Sequence, residues 1–429
     1  SIDLKTQLFS QSRVLFIAAI AMGCTMFIGF PPVQTSIVCI AMIALAVILN
    51  RKTKAMGVAA AAETEQAEEV EMTGEASYYK NIDNVYNLLN VEQVEMEFGY
   101  SLIPLVDEAS GGNFIDRVVM FRKQFALEMG MVVPSVRLKD SGQLNPNQYA
   151  IKFKGETVAV GDVLVDHFLA LPPTDGEDTI EGIETIEPAF GIPAKWISED
   201  KRIKAELAGY TLIDPTSVII THLSEVIRTH AHELLTRQEV GNMLTNMKKV
   251  NEPLVNEVIP NIVSASELQK VLSLLLYEGV PIRDLETIIE TLADYGPVVK
   301  DTDMLTEYVR QSLRRTISHK FAESGQLKVI SLDAEIENQI MASVKKVDNG
   351  SYLALEPQII QQIVSSTKAE IDKIHDLVQS PIILTSPIVR IYFKKLMDQF
   401  FPGTTVLSFN EIENDIQVQA LGNITIQGK

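Results

Sequence analysis

Residues 111–130, GGNFIDRVVMFRKQFALEMG, decide how the middle of this 429-residue chain folds. Phe114, Val118, Phe121, Phe125 and Met129 recur at spacings of three and four, which lines them along one face of a helix. An aromatic stripe of that period reads as packed core rather than as a cofactor box. Upstream, VEQVEMEFGYSLIPLV (91–106) alternates apolar and polar residues over its length, the pattern of a half-buried strand. Downstream, MVVPSVRL (131–138) and NQYAIKFKG (147–155) also read as strands. Strand, helix and two further strands predict an α+β unit at the front of the folded part.

From residue 216 the period turns helical. PTSVIITHLSEVIRTHAHELLTRQEVGNML reads as one or two amphipathic helices. SASELQKVLSLLLYEGVPIRDLETIIETLADYG reads as two more, broken at Gly279 and Pro281, with Leu285, Ile288, Ile289 and Leu292 on one buried face. The tail alternates again. SPIILTS and TTVLSF are strand-like around the helix PIVRIYFKKLMDQFF, and DIQVQAL supplies a last strand, so a small α/β unit closes the chain.

The front differs in kind. Residues 14–30 and 33–49 are uncharged apolar runs at the short end of what crosses a bilayer, divided by Pro31 and Pro32. Arg13 precedes the pair, and Arg51, Lys52 and Lys54 follow it, so a hairpin with both ends in the cytoplasm is expected. A lipoprotein signal ending in AMGC is the competing reading; Ala21 stands where a larger aliphatic is usual, and a second span follows at once. Residues 55–79 hold six glutamates and no basic residue, which predicts a loose acidic tether. With Ser at position 1, the chain is expected to be a fragment or a processed product.

Charge and composition exclude several functions. Apolar residues make up 46% and the net charge is −19, of which the first fifty residues contribute +1. So acidic a remainder argues against nucleic acid. The two cysteines, Cys24 and Cys39, lie inside the apolar runs, so no disulfide framework is expected and the large remainder suits a reducing cytosol. There is no GxxxxGK[ST] loop, no HExxH and no GxSxG. In THAHE (229–233), His230 and His232 are two apart and do not share a helix face, so a solvated face is expected rather than a metal site. The acidic loop 174–187 lacks the ligand spacing of an EF-hand. The residues predict no catalytic centre, no metal and no cofactor, hence no enzyme.

Four stretches carry a resemblance: RVVMFRKQFALEMGMVVPSVRLKDSGQLNPNQYAIKFKG (117–155), EPAFGIPAKWI (187–197), THLSEVIRTHAHELLTRQE (221–239) and LLLYEGVPIRDLETIIETLAD (274–294). With the double span and charged linker before them, the chain resembles the export-gate membrane proteins of bacterial type III secretion, the FHIPEP family. Members have eight spans, of which this chain would hold the last two. The resemblance implies a multi-pass protein of the bacterial inner membrane with a large cytoplasmic C-terminal region. The implied fold class is a mixed α/β, multi-subdomain region, with α+β, all-helical and small α/β units, preceded by a two-helix transmembrane hairpin.

The expected organisation is then residues 1–50 for the spans and 51–85 for the flexible acidic linker. A first α+β subdomain takes 86–155 plus about 211–240, and an inserted second subdomain with the partner groove takes 156–210. A helical third subdomain takes 241–330, and an α/β subdomain takes 331–429. The resemblance also implies a nine-membered ring that docks export chaperones with flagellar substrates, alongside other export-apparatus membrane and ATPase-complex proteins. The flagellar branch lines its groove with an acidic residue, a Phe and a Thr, matched here by Glu187, Phe190 and Thr221, with Glu in place of the usual Asp. Ile213 and Val218 would add apolar wall. Trp196, the single tryptophan, and Ile197 are expected in the core. Arg283 and Asp284 of VPIRD read equally as ring contacts or as caps. The homologous gate of a virulence injectisome, and an unrelated membrane-tethered scaffold or sensor, are the other readings.

Overall fold

The computed structural model describes residues 91–173, 180–347, 350–374, 378 and 380–426. The expected membrane hairpin and acidic linker, and most of the acidic loop before residue 180, lie outside them. Among the described residues no helix is long and apolar enough to cross a membrane.

The first sheet comprises β1 (Val94–Phe98), β2 (Val136–Asp140), β3 (Gln148–Phe153) and β4 (Glu156–Asp162), in the order β2-β1-β3-β4. β1 runs parallel to β2 and antiparallel to β3. The predicted strand over 91–106 is shorter than expected and more deeply buried. Gly99 ends it, because a Cβ there would sit 2.1 Å from the Asn145 carbonyl oxygen. Pro104 then opens the short helix α1 (Ile103–Val106). As an interior strand, β1 buries even Glu95, which pairs with Lys139 of β2. The predicted strand from 131 also begins late: Met131 and Val133 are buried in extended chain ahead of β2. Helix α2 (Phe114–Met129) makes the crossover from β1 to β2, with Phe114, Val118, Phe125 and Met129 inward as predicted. The Phe114 ring meets Phe98 edge to face at 5.4 Å.

A second sheet follows, built from β5 (His167–Leu171), β6 (Ile183–Ile186), β7 (Pro193–Ser198) and β8 (Thr211–Ile213) in the order β6-β7-β5-β8, all antiparallel. Helix α3 (Arg202–Leu207) connects β7 to β8. Neighbours on a strand face opposite ways, which assigns Trp196 and Ile197 to two different cores. Trp196 joins the main cluster with Leu169 and Ala194, whereas Ile197 packs with Ala170, Ile180, Ala205 and Tyr210.

The predicted helical stretch after 215 divides into three, not one or two: α4 (Pro215–Thr229), α5 (Ala231–Leu234) and α6 (Arg237–Val258). Asp214 caps α4 by accepting the Ser217 N–H at 3.0 Å, and Thr236 caps α6 by accepting the Glu239 N–H at 3.2 Å. Helix α6 kinks at Asn251, two residues before Pro253. Next come α7 (Ala265–Tyr277), opened by a Ser264–Glu267 capping box, α8 (Leu285–Tyr295), α9 (Thr302–Ser312) and α10 (Arg314–Phe321). Leu285, Ile288, Ile289 and Leu292 are buried, as their spacing predicts.

The closing unit holds β9 (Gln326–Leu332), α11 (Ala334–Ser343), the hairpin β10 (Val344–Val347) and β11 (Gly350–Leu353), α12 (Pro357–Ile374), β12 (Ile382–Thr385), α13 (Arg390–Phe400), β13 (Thr405–Ser408) and β14 (Gln417–Ile424). Its sheet, in the order β13-β12-β9-β14, is wholly parallel, and all four residues of β12 are buried. β9 sends Leu327 and Val329 into the main core and Ile330 and Leu332 into a second one.

Backbone ladders run across several of the expected subdomain limits. The first sheet runs past 155 to Asp162, because β4 pairs with β3. Residues 211–213 pair with β5 and so belong to the second sheet. The last unit starts with β9 at Gln326 rather than at 331. The β5–β8 and β9–β14 pairings join residues distant in sequence, which local composition does not encode, whereas β3 and β4 form a local hairpin.

Candidate partner-docking site

The loop between β6 and β7 carries the expected aromatic. Phe190 is 62% exposed on that loop, while its near neighbour Trp196 is 4% exposed. The contrast follows from position: Trp196 is an inward residue of a strand flanked on both sides, and Phe190 sits at a turn where Gly191 adopts φ +69°.

Glu187, expected as a groove-edge acceptor, is tied into its own loop. It is 3% exposed, and its two carboxylate oxygens accept the N–H groups of Ala189 at 3.0 Å and Phe190 at 2.7 Å. Val218, expected as apolar wall, lies inward. At 1% exposure it belongs to the inward stripe of α4 with Ile219, His222, Leu223, Val226 and Ile227. Helical spacing puts Val218 and His222 on that inward line and leaves Thr221, half-buried, at its edge. Ile213, at the end of β8, is half-buried against the main core.

Beneath this surface the Tyr149 hydroxyl and His222 Nδ1 lie 2.8 Å apart, both residues buried. Burial lowers the His222 pKa, and the Glu187 charge works against that shift. The Tyr149 phenol is pushed up by burial first and by Glu187 and Asp162 next. Gly161 makes room for this tyrosine: a Cβ there would fall 2.4 Å from the hydroxyl oxygen.

Both charged residues of VPIRD make hydrogen bonds inside the chain. Asp284 caps α8, accepting the N–H and hydroxyl of Thr287 at 3.1 and 2.8 Å. Arg283 donates to the Leu127 carbonyl at 3.1 Å, and the Ile282 N–H donates to the Met129 carbonyl at 2.9 Å, so both close the C-terminus of α2. The THAHE histidines are not on a solvated face. His230 packs edge to face on Phe153 at 5.4 Å, and His232 does so on Tyr277 at 5.0 Å. Burial, followed by the neighbouring His230, lowers the His232 pKa against the pull of Glu233.

The sequence profile of the FHIPEP family matches residues 1–417. The chain belongs to the FHIPEP family. This FHIPEP chain is 43% identical over 426 residues to the flagellar biosynthesis protein FlhA of Bacillus subtilis (strain 168), covering 99% of the chain and 62% of that protein. It thus spans less than two thirds of that relative's length. Its fold is similar to that in the solved complex of the Chlamydia pneumoniae CdsV and CdsO proteins, with TM-score 0.70, 30% identity and coverage of 78% of this chain and 98% of that one. It is also similar to nonameric EPEC SctV-C, solved by cryo-EM, with TM-score 0.64, 26% identity and coverage of 78% and 99%.

The FHIPEP chain also exposes apolar residues that the sequence reading passed over. Ile183 and Ile186 on the edge strand β6 and Ile192 after Phe190 are all exposed. A cleft of about 480 Å3 is lined by Ile186, Pro193, Ala194, Ala170 and Tyr210, with Glu184 and Lys195. Ile183 and Ile186 are three apart, whereas residues on one face of a strand are two apart, so period alone did not reveal them. The Tyr149–His222 pair was missed because its members stand 73 positions apart.

Proposed function

We propose that this FHIPEP chain is a component of the flagellar type III protein export gate. In this reading its C-terminal region docks export chaperones with their cargo and passes flagellar proteins to a membrane pore, without catalysing a reaction. The observation that carries it is 43% identity to flagellar FlhA over nearly the whole chain. Phe190, exposed on a loop pinned by Glu187, is the central contact in this reading, and half-buried Thr221 and Ile213 are its further lining. Likeness to nonameric EPEC SctV-C supports a nine-membered ring. Likeness to CdsV, solved together with CdsO, supports contact with other parts of the apparatus. Residues 14–30 and 33–49 form a hairpin in the bacterial inner membrane, both ends cytoplasmic, and the acidic 51–85 tethers the described region to it.

Deleting the gene tests this. Filament proteins should remain in the cell and no filament should form, while secretion of virulence effectors continues. Loss of effector secretion with filaments intact would reassign the chain to an injectisome.

A further inference from the structure

The residue beside the exposed aromatic works from inside the fold. Glu187 makes four hydrogen bonds within its own loop. Its side chain accepts from the Ala189 and Phe190 N–H groups, its N–H donates to the Ile192 carbonyl at 2.8 Å, and its carbonyl accepts from the Gly191 N–H at 3.0 Å. Residues 187–192 are therefore closed by a single side chain and its own peptide groups. A carboxylate accepting two backbone N–H groups makes charge-assisted bonds, roughly twice as strong as neutral ones. The result is an aromatic ring in solvent on a backbone already fixed, which lowers the ordering cost of any contact made through that ring.

Two other elements contribute a buried pair that feels the Glu187 charge. Tyr149 comes from β3 and His222 from α4, joined at 2.8 Å with their rings edge to face at 5.7 Å. We propose that Glu187 is a positioning residue that holds Phe190 ready for a partner, and that the Tyr149–His222 pair is the wall that keeps Glu187 in place. The role in docking rests on the reading of Phe190 given above; the fixing of the loop does not.

The test uses the full chain in detergent, read by amide hydrogen exchange across 187–192 without partner and by affinity for a late-export chaperone bound to its flagellar cargo. Glu187→Gln replaces one acceptor oxygen by an NH2 group that faces a backbone N–H, and should cut protection of the Ala189 and Phe190 amides about tenfold. It should also weaken binding by a similar factor. Glu187→Asp keeps the charge but retracts it by one methylene, and should act in the same direction if the Gln variant does not fold. Tyr149→Phe should loosen the loop a few-fold with the main core intact. Phe190→Ala should leave protection unchanged while binding collapses. Weakened binding of Glu187→Gln with full protection would make Glu187 a contact residue and overturn the proposal; so would lost protection with normal binding. Wild-type affinity in Phe190→Ala would retire the docking reading and the partner half of this proposal together, whatever the exchange shows.

Discussion

Arg390 on α13 donates two hydrogen bonds to Glu278, at 2.7 and 3.1 Å, bridging 112 positions of chain from the last unit to the end of α7. The same guanidinium holds Glu307 of α9, and Arg310 of α9 holds Glu411 at 2.5 Å. Two guanidinium groups thus share an enclosed space with three carboxylates. Burial pushes Glu278 up, but Arg310 and Arg390 together outweigh it and hold the group at about 2. Burial wins at Glu307, which stays above its ordinary value despite Arg390. The seam between the helical and parallel-sheet units is therefore charged, and its members depend on one another.

Removing one member should be costly. Arg390→Met leaves Glu278 and Glu307 buried without their main partner, and should cost about 3–5 kcal/mol. Urea denaturation of the purified chain reads this directly. A loss below about 1 kcal/mol would mean that the cluster is as weak as a surface ion pair.

The junction of α2 with VPIRD gives a second expectation. Gly130 has φ +76°, and a Cβ there would lie 2.3 Å from the Cα and N of Arg283. Gly111 has φ +85° with open space around it. Gly111→Ala should cost only the left-handed backbone strain, about 1–2 kcal/mol. Gly130→Ala adds a clash of backbone on backbone and should cost clearly more. Equal losses in chemical denaturation would show that Arg283 can move aside.

Acid should weaken the fold before the carboxylates respond. Burial holds His222 and His232 below their ordinary pKa, so the unfolded chain binds more protons as the pH falls. Their contribution is complete above about pH 6.5 and is lost as the pH drops below it toward the folded-state values. Glu278, depressed to about 2, adds its own loss below the ordinary carboxylate range. The urea midpoint should fall between about pH 7.5 and 5.5, and less steeply in His222→Gln. An identical slope in the variant would show that His222 carries none of it.

Phe190 and Trp196 should separate binding from stability. Phe190→Ala should leave the melting temperature nearly unchanged while chaperone affinity falls about thirtyfold, the equivalent of roughly 2 kcal/mol. Trp196→Ala empties a core position and should cost about 3–5 kcal/mol. A large thermal loss in the Phe190 variant would remove it from the surface.

The membrane hairpin is tested by labelling. A cysteine at Pro32 should react with an impermeant reagent added outside the cell, and one at Thr64 should not. The reverse pattern would overturn both the orientation and the export-gate proposal.

Much of this arrangement was written locally. The period of Phe114 to Met129 and of Leu285 to Leu292 fixed two helices and the faces they bury. The aromatic pair Phe190 and Trp196 sorted correctly because one neighbours a turn glycine and the other lies on a strand. The division of 215–258 was also available, in the Thr236–Glu239 cap signal and in Pro253. The burial of Val218 could be inferred from its helical spacing to His222 and Val226. Glu187 was not legible in that way, because an acidic residue before a turn does not announce that its carboxylate will accept the Ala189 and Phe190 N–H groups from a buried position. Arg390 and Glu278 were not legible either, since nothing local announces a partner 112 positions away.

The pairing of β5 with β8 has one more consequence. The chain enters the second sheet on β5 and leaves it on the neighbouring strand, with Leu169 opposite Ile213 and Leu171 opposite Thr211. That ladder brings the two ends of the intervening segment together, so the entropy of closing the segment depends only weakly on its length. Doubling it would cost only about 0.6 kcal/mol. The Phe190 loop lies inside this segment. The pairing therefore tolerates insertions between β5 and β8 at little entropic cost, which leaves that segment the part of the second sheet freest to vary in length.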